Sequence, residues 1–282
     1  NDYSDSIRYF KSAHALFKKQ GNDYFASRIE WLLALDLIEL GRYNQAKGYI
    51  DAARPVCEEF DDPLGIGQLH YLDGRICSHQ DSYGDAIMHY RKANNIYLQY
   101  GDLILNSIEV TSDSIYSLIN IGKLDEAGVE VKNLVKLNKR IKEKDKLLFK
   151  DIICAYHGSC SGETDAKEID SLANQLNKFE DDININSCKE SWMLAMCYMN
   201  LKDKDKALEM QKHSTDIIKM ASESNSSRED RSRYINNGLH RQISAPLRAY
   251  SIEDEKTQVQ CPGCRQQIQP GFSFCPACGS KV

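Results

Sequence analysis

A small set of apolar and small positions recurs down the chain. In GRYNQAKGYIDAARP, from Gly41, Tyr43 is followed three places on by Ala46 and ten places on by Ala53. DSYGDAIMHYRKANN repeats the frame with Tyr83, Ala86 and Ala93, and GKLDEAGVEVKNLVK repeats it with Leu124, Ala127 and Leu134. The frame extends forward to Tyr3, Ser6 and Ala13, and onward to Glu163, Ala166 and Ala173 and then Lys204, Ala207 and Ser214. Successive anchors stand 40, 40, 41, 39 and 41 residues apart.

Positions three and ten places beyond an anchor share one face of an α-helix, because ten residues make nearly three turns. Small residues there let a second helix approach closely, while the anchor covers the joint. Gly41 and Gly122, two places before their anchors, mark turns between helices. About 40 residues accommodate two helices and two short turns. No such pair buries its apolar face alone, so the pairs must stack. The pattern predicts helix pairs over 1–223, the last clear repeat helix covering 203–223. A segment at 224–250 follows, then an acidic linker at 251–258 and a small module at 259–282.

The G-x-Y-x-x-A signature with a later alanine resembles the second-helix half of the tetratricopeptide repeat (TPR), and DPLGIGQLHYLDGRI, from Asp62, is similar to a first helix of such repeats. The period of about 40 departs from the usual 34. It is similar to TPR arrays attached to signal-transduction ATPases, cyclases and protein kinases. The resemblance implies an all-α, right-handed superhelix. It also implies that Tyr3 lies in a second helix, so the chain is expected to begin in mid-repeat as part of a longer protein. In such arrays certain first-helix positions line a concave groove for a protein or peptide, or for the parent's own N-terminal module. Those positions map onto Trp31, Leu35 and Glu39, onto Tyr71, Arg75 and His79, onto Tyr116 and Asn120, and onto Trp192, Met196 and Asn200. Aromatic, methionine and arginine side chains suit peptide surfaces. Trp31, Tyr71 and Trp192 suit the core between repeats equally well.

Charge changes the picture little. Charged residues make up 27% of the chain and the formal net charge is -5, which gives no electrostatic case for nucleic acid or an acidic membrane. No apolar run of about 18 residues is present, and no secretory leader is visible. One stretch, REDRSRYINNGLHRQISAPLRAY, is locally basic. It reads as a capping helix whose arginines solvate an outer face and pair with Glu229 and Asp230.

Ten cysteines change it more. Six are scattered through helical stretches, which speaks against a disulfide scaffold and for a cytoplasmic protein with free thiols. The other four stand in CPGCRQQIQPGFSFCPACG, from Cys261. Two C-P-x-C turns facing each other make a tetrahedral thiolate site for structural Zn2+, with Cys261, Cys264, Cys275 and Cys278 as ligands. The module resembles a minimal zinc ribbon. A module of this size cannot hold itself by apolar burial, so the metal supplies its folding energy. CAYHGSC offers Cys154, His157 and Cys160, read as core thiols and a helix-end histidine.

No phosphate-binding GxxxxGK[ST] loop, HExxH, GxSxG or kinase motif occurs. The sequence therefore predicts a non-enzymatic interaction scaffold or sensor region of a larger signalling NTPase, kinase or cyclase. The alternative is a stand-alone TPR adaptor whose ribbon contacts nucleic acid or protein.

Overall fold

The computed structural model describes residues 2–141, 148–178 and 186–247, together with two short strands at 259–260 and 267–268. The fold is an all-α, TPR-like superhelix. Helices α1 (Tyr3–Lys19), α3 (Tyr43–Glu59), α5 (Tyr83–Leu98), α7 (Leu124–Asn138), α9 (Ala166–Lys178) and α11 (Lys204–Glu223) are second helices of the pairs. Helices α2 (Asp23–Glu39), α4 (Pro63–His79), α6 (Ile104–Asn120), α8 (Leu148–Ser161) and α10 (Asn186–Asn200) are first helices. Two short helices close the series, α12 (Arg228–Ile235) and α13 (Gly238–Ser244).

The recurrent positions do what their spacing requires. Five of the six second helices begin on the anchors Tyr3, Tyr43, Tyr83, Leu124 and Lys204. Ala46, Ala53, Ala86, Ala93, Ala127, Leu134, Ala207 and Ser214 are wholly buried. The expected anchor Glu163 is displaced. Helix α9 starts at Ala166, with Ile169 and Leu176 buried three and ten places later. Gly162 ends the preceding helix in the left-handed region, and Asp165 caps α9 by accepting the Glu168 amide at 2.9 Å.

Turn chemistry sets the boundaries. Residues in left-handed backbone fall at 21, 41, 61, 81, 122, 162 and 202, about 20 or 40 apart. Four are glycines, but Asp61, Asp81 and Lys202 also adopt this conformation, which costs a non-glycine residue about 1–3 kcal/mol. Side-chain caps then open the next helix. Asp62 accepts the Gly65 amide at 3.0 Å with Pro63 in the first turn, and Asp203 accepts the Lys206 amide at 3.2 Å. Each satisfies a backbone donor that helix geometry leaves free.

The tightest pair is α4 with α5. Gly67 and Gly74 stand two turns apart on α4. A Cβ on them would come within 2.3 Å of the Tyr97 ring and 2.5 Å of the Tyr90 ring. Both tyrosines are wholly buried on α5, also two turns apart. The glycines are thus the sockets for two large rings.

The segment after α11 does more than cap the last repeat. It returns across the concave face to the first repeats. Ser4 donates to Asp230 at 3.1 Å, and Arg42 forms an ion pair with the same carboxylate. The Tyr3 and Tyr234 rings lie 6.0 Å apart. Asn237 donates to the Glu39 carbonyl at 3.1 Å, and the Gly238 amide donates to the Tyr43 hydroxyl at 3.4 Å. The expected outer-face pairing holds for Arg233 with Glu229, at 2.8 Å, but Asp230 turns inward.

In the tail, Val259 pairs with Ile268 and Gln260 with Gln267 in an antiparallel ladder. The four expected zinc ligands, Cys261, Cys264, Cys275 and Cys278, lie outside the described residues. Among the described residues no helix is long and apolar enough to cross a membrane.

Candidate functional site

A cavity of about 360 Å³ opens on the concave face. Its walls are α2, α4, α6, α8 and α10, with Tyr83 and Tyr90 of α5 between them, and α13 forms part of its rim. Tyr71, Arg75 and His79 line it at helical spacing from α4, and Glu109, Asp113 and Tyr116 line it from α6. Glu39 contributes from the end of α2, Phe149 and Ile153 from α8, and Lys189, Glu190 and Met193 from the first half of α10. Gln242 of α13 accepts from the Tyr116 hydroxyl at 2.5 Å and donates to Asn120 at 3.0 Å.

The expected groove residues divide. Tyr71, Arg75, His79, Tyr116 and Glu39 line the cavity, and Asn120 borders it through Gln242. Trp192 is buried in the core, while Trp31, Leu35 and Met196 are half-buried and pack against it. Asn200 donates to Ser159 at 3.0 Å. These five do not line the cavity. The reason is geometric. Each repeat is rotated on the last, so the lining crosses the first helices obliquely, from Glu39 at the end of α2 to Lys189 near the start of α10. A fixed register relative to the turns misses that drift and points three residues too far along α10.

Charge is concentrated here. Arg75 pairs with Glu39 and lies over the Tyr71 ring at 5.8 Å. Lys189 pairs with Asp113 and lies 4.6 Å over the Tyr116 ring. The Tyr71 hydroxyl is 2.9 Å from Asp113 and 3.0 Å from Glu109, but its single proton serves one carboxylate at a time. Burial works against ionising Glu39 and Asp113. The Arg75 and Lys189 cations outweigh it, so both carboxyls sit below the usual range. Glu109 goes the other way, raised by burial and then by neighbouring Asp113. Burial pushes Glu190 up to about 8, against a partial offset from Lys189, and its Oε2 has no hydrogen-bond partner among the described residues. Burial holds His79 down to about 3, and its Nδ1 also lacks a partner. His240 places Nδ1 2.7 Å from the Tyr234 carbonyl. That nitrogen carries the proton, which leaves Nε2 as acceptor toward the Cys188 thiol at 4.0 Å.

Among the described residues the lining thus holds four carboxyl groups, Glu39, Glu109, Asp113 and Glu190, against two basic side chains, Arg75 and Lys189. The sequence signal was present but scattered. Glu109, Asp113 and Tyr116 stand at i, i+4 and i+7, and Lys189 and Met193 at i and i+4.

Glu190 has a thermodynamic signature. Its folded pKa is raised, so the stability from its bound proton is complete below the ordinary glutamate value and is lost as pH rises through about 8. An ordinary imidazole is still about a quarter protonated at pH 7, so the lowered histidines add a smaller slope of opposite sign there. The part of the unfolding free energy that depends on Glu190 should fall by about 1 kcal/mol from pH 7 to pH 8. Urea titrations at the two pH values measure it, and Glu190→Gln should abolish that part.

The other candidate cluster disperses. His157 places Nε2 3.1 Å from the Leu124 carbonyl, Cys160 is buried and faces Asn200 at 3.5 Å, and Cys154 is half-buried.

Among solved structures the chain is similar to aspartyl phosphate phosphatase F from Bacillus subtilis, with a TM-score of 0.63 and 15% identity over 76% of this chain and 55% of that one. The chain therefore spans about half of that phosphatase's length. Weaker likenesses are to YrrB, described as a TPR protein with an unusual peptide-binding site (TM-score 0.37, 18% identity, 74% of this chain and 91% of that one). Yeast Tom70 follows (TM-score 0.29, 14% identity, 86% and 60%). No protein-family model matches the chain. Nor does any curated protein. The first likeness defines the class of molecule, an α-helical repeat superhelix, and at that identity it defines the fold alone.

Proposed function

We propose that this chain is a protein-interaction module whose concave cavity takes a lysine or arginine side chain presented by a peptide or a partner's loop. The observation that carries the reading is the lining itself: four carboxyl groups face two cations, and the buried Oε2 of Glu190 has no partner among the described residues. An unsatisfied buried polar atom costs about 1–3 kcal/mol, which a donor entering the cavity would recover. Leu105, Phe149, Ile153 and Met193 supply apolar wall for the alkyl stem of such a side chain. The volume lies at the low end of the range for ligand clefts, about 300–1,000 Å³. Cys188 and His240 both line the cavity with the thiol 4.0 Å from Nε2, but burial pushes that thiol up and away from thiolate, so the lining favours recognition over catalysis.

Binding to short lysine-containing peptides, followed by calorimetry, tests this. Glu190 should lose its proton as the cation enters, so the binding enthalpy at pH 7 should vary with the buffer's ionisation enthalpy. Acetylating the lysine should remove binding. Equal affinity for acetylated and free peptides would sink the reading.

The resemblance of the 40-residue repeat supports a wider proposal: a cytoplasmic sensor and scaffold region of a larger signalling NTPase, kinase or cyclase, with occupancy of the cavity relayed to the rest of that protein. The tail is proposed to hold structural Zn2+ on Cys261, Cys264, Cys275 and Cys278. The ladder of Val259 with Ile268 brackets the first C-P-x-C turn, as a zinc knuckle requires. A strong chelator should remove about one thiolate-bound zinc and leave the helical circular dichroism nearly unchanged. Loss of most helix would join the ribbon to the superhelix as one unit.

A further inference from the structure

On the far side of α4 from the cavity, the sequence signals nothing, yet three ligand-type side chains converge. His70 and Asp73 of α4 and His89 of α5 each offer one ligand atom, and these atoms lie within 4.8 Å of one another. Among the described residues no other group of three histidine, cysteine or carboxylate side chains comes so close. Asp73 stands about 200° around the helix from Tyr71, so the cluster and the cavity use opposite faces of α4.

We infer that His70, Asp73 and His89 form a binding site for a divalent transition metal, best suited to Zn2+. Two imidazoles and a carboxylate are an established donor set for that ion. Bonds of about 2.1 Å in tetrahedral geometry place ligand atoms about 3.4 Å apart, so small side-chain rotations close the site. The second observation is independent of the spacing. Among the described residues Nδ1 of His70 and Nδ1 of His89 are both buried with no hydrogen-bond partner, and His89 Nδ1 lies 3.9 Å from Asp73 Oδ2. Metal coordination satisfies such nitrogens. A neutral imidazole offers one nitrogen lone pair to a metal ion.

The surroundings shape the affinity. Lys47 and Arg54 of α3 each bind one Asp73 oxygen at 2.8 Å. They fix the carboxylate's orientation as outer partners of a metal ligand do, but with Lys92 they oppose a dication. The site is therefore weaker than a four-thiolate site, and the His89 side chain, 27% exposed, leaves the remaining coordination position to solvent.

The full-length chain carrying Cys261→Ser and Cys264→Ser, which disables the proposed tail site, should be freed of metal and titrated with Zn2+. It should bind about one equivalent, and with Co2+ it should show d–d bands without thiolate charge transfer. His70→Gln and His89→Gln, each with unchanged helical circular dichroism, should weaken binding by more than about tenfold. Asp73 is left intact because removing it would strand Lys47 and Arg54. No zinc uptake by the cysteine variant, equal affinity after either histidine change, or a thiolate charge-transfer band would overturn the inference. Equal zinc uptake with and without Cys261 and Cys264 would refute the tail site and leave this one standing.

Discussion

Gly238→Val should expel α13 from the concave face. A Cβ at this position would lie 1.7 Å from the His79 carbonyl oxygen and 2.5 Å from its carbonyl carbon. Those atoms are backbone at the end of α4, so no rotamer change relieves the clash. Ordinary overpacking costs about 1–3 kcal/mol, and a backbone collision exceeds that range, so release of the short helix is the cheaper outcome. The bonds from Asn237 to Glu39, from Gly238 to Tyr43 and between Gln242 and Tyr116 would then be lost together. Limited proteolysis should cut the variant within 224–247 at a protease level that leaves the parent intact, while α2 to α11 stay protected. A variant as resistant as the parent would show that α13 does not dock against His79.

Arg75→Met has the second largest expected effect. It keeps the apolar stem and removes the cation paired with the buried Glu39 carboxylate. Breaking a buried pair on one side costs about 3–5 kcal/mol. In the parent, Glu39 is held below the ordinary carboxylate range. The stability it contributes is therefore present above that range and is lost as pH falls through its folded value. In the variant, burial acts unopposed and favours the neutral acid. The deficit should accordingly be large at pH 7.5 and shrink toward pH 5, as measured by urea unfolding. Arg75→Met with Glu39→Gln should recover most of it, because no charge remains stranded. A deficit that is equal at both pH values would mean that the pair contributes packing and not charge.

Much of the fold was legible because it follows from local periodicity. Tyr43, Ala46 and Ala53 announce a helix face, and Gly41 and Gly122 announce turns. Turns at Asp61, Asp81 and Lys202 were harder, since helix-end backbone bonds, such as the Asp62 amide to the Cys57 carbonyl, close over non-glycine residues in left-handed backbone there. The anchor at Glu163 failed because three residues, 163–165, separate Gly162 from α9, where the other left-handed turns leave one. The cavity was half legible. Arg75 and Tyr71 followed from the repeat register, but Glu190 and Lys189 did not, because superhelical rotation shifts the lining along each helix and no single repeat encodes it. The return of α12 and α13 was read as an outer cap, since nothing near Asp230 in the sequence signals Arg42 or Ser4. His70, Asp73 and His89 escaped for the same reason: their convergence is a property of two helices packed together.

That return path alters how the molecule can come apart. Stacked repeats ordinarily behave as a one-dimensional chain of neighbours, so end units can fray singly. Here Ser4 touches Asp230 across 226 positions of sequence, and Asn237 reaches Glu39 across 198. The strip is thereby fastened into a loop. Fraying at one end removes a contact that steadies the other, so terminal repeats should exchange their amide hydrogens on nearly the same timescale as central ones. The fastening also has a kinetic cost. Contacts of such long separation form late, so the two ends should gain protection together and last, after the middle of the array has folded.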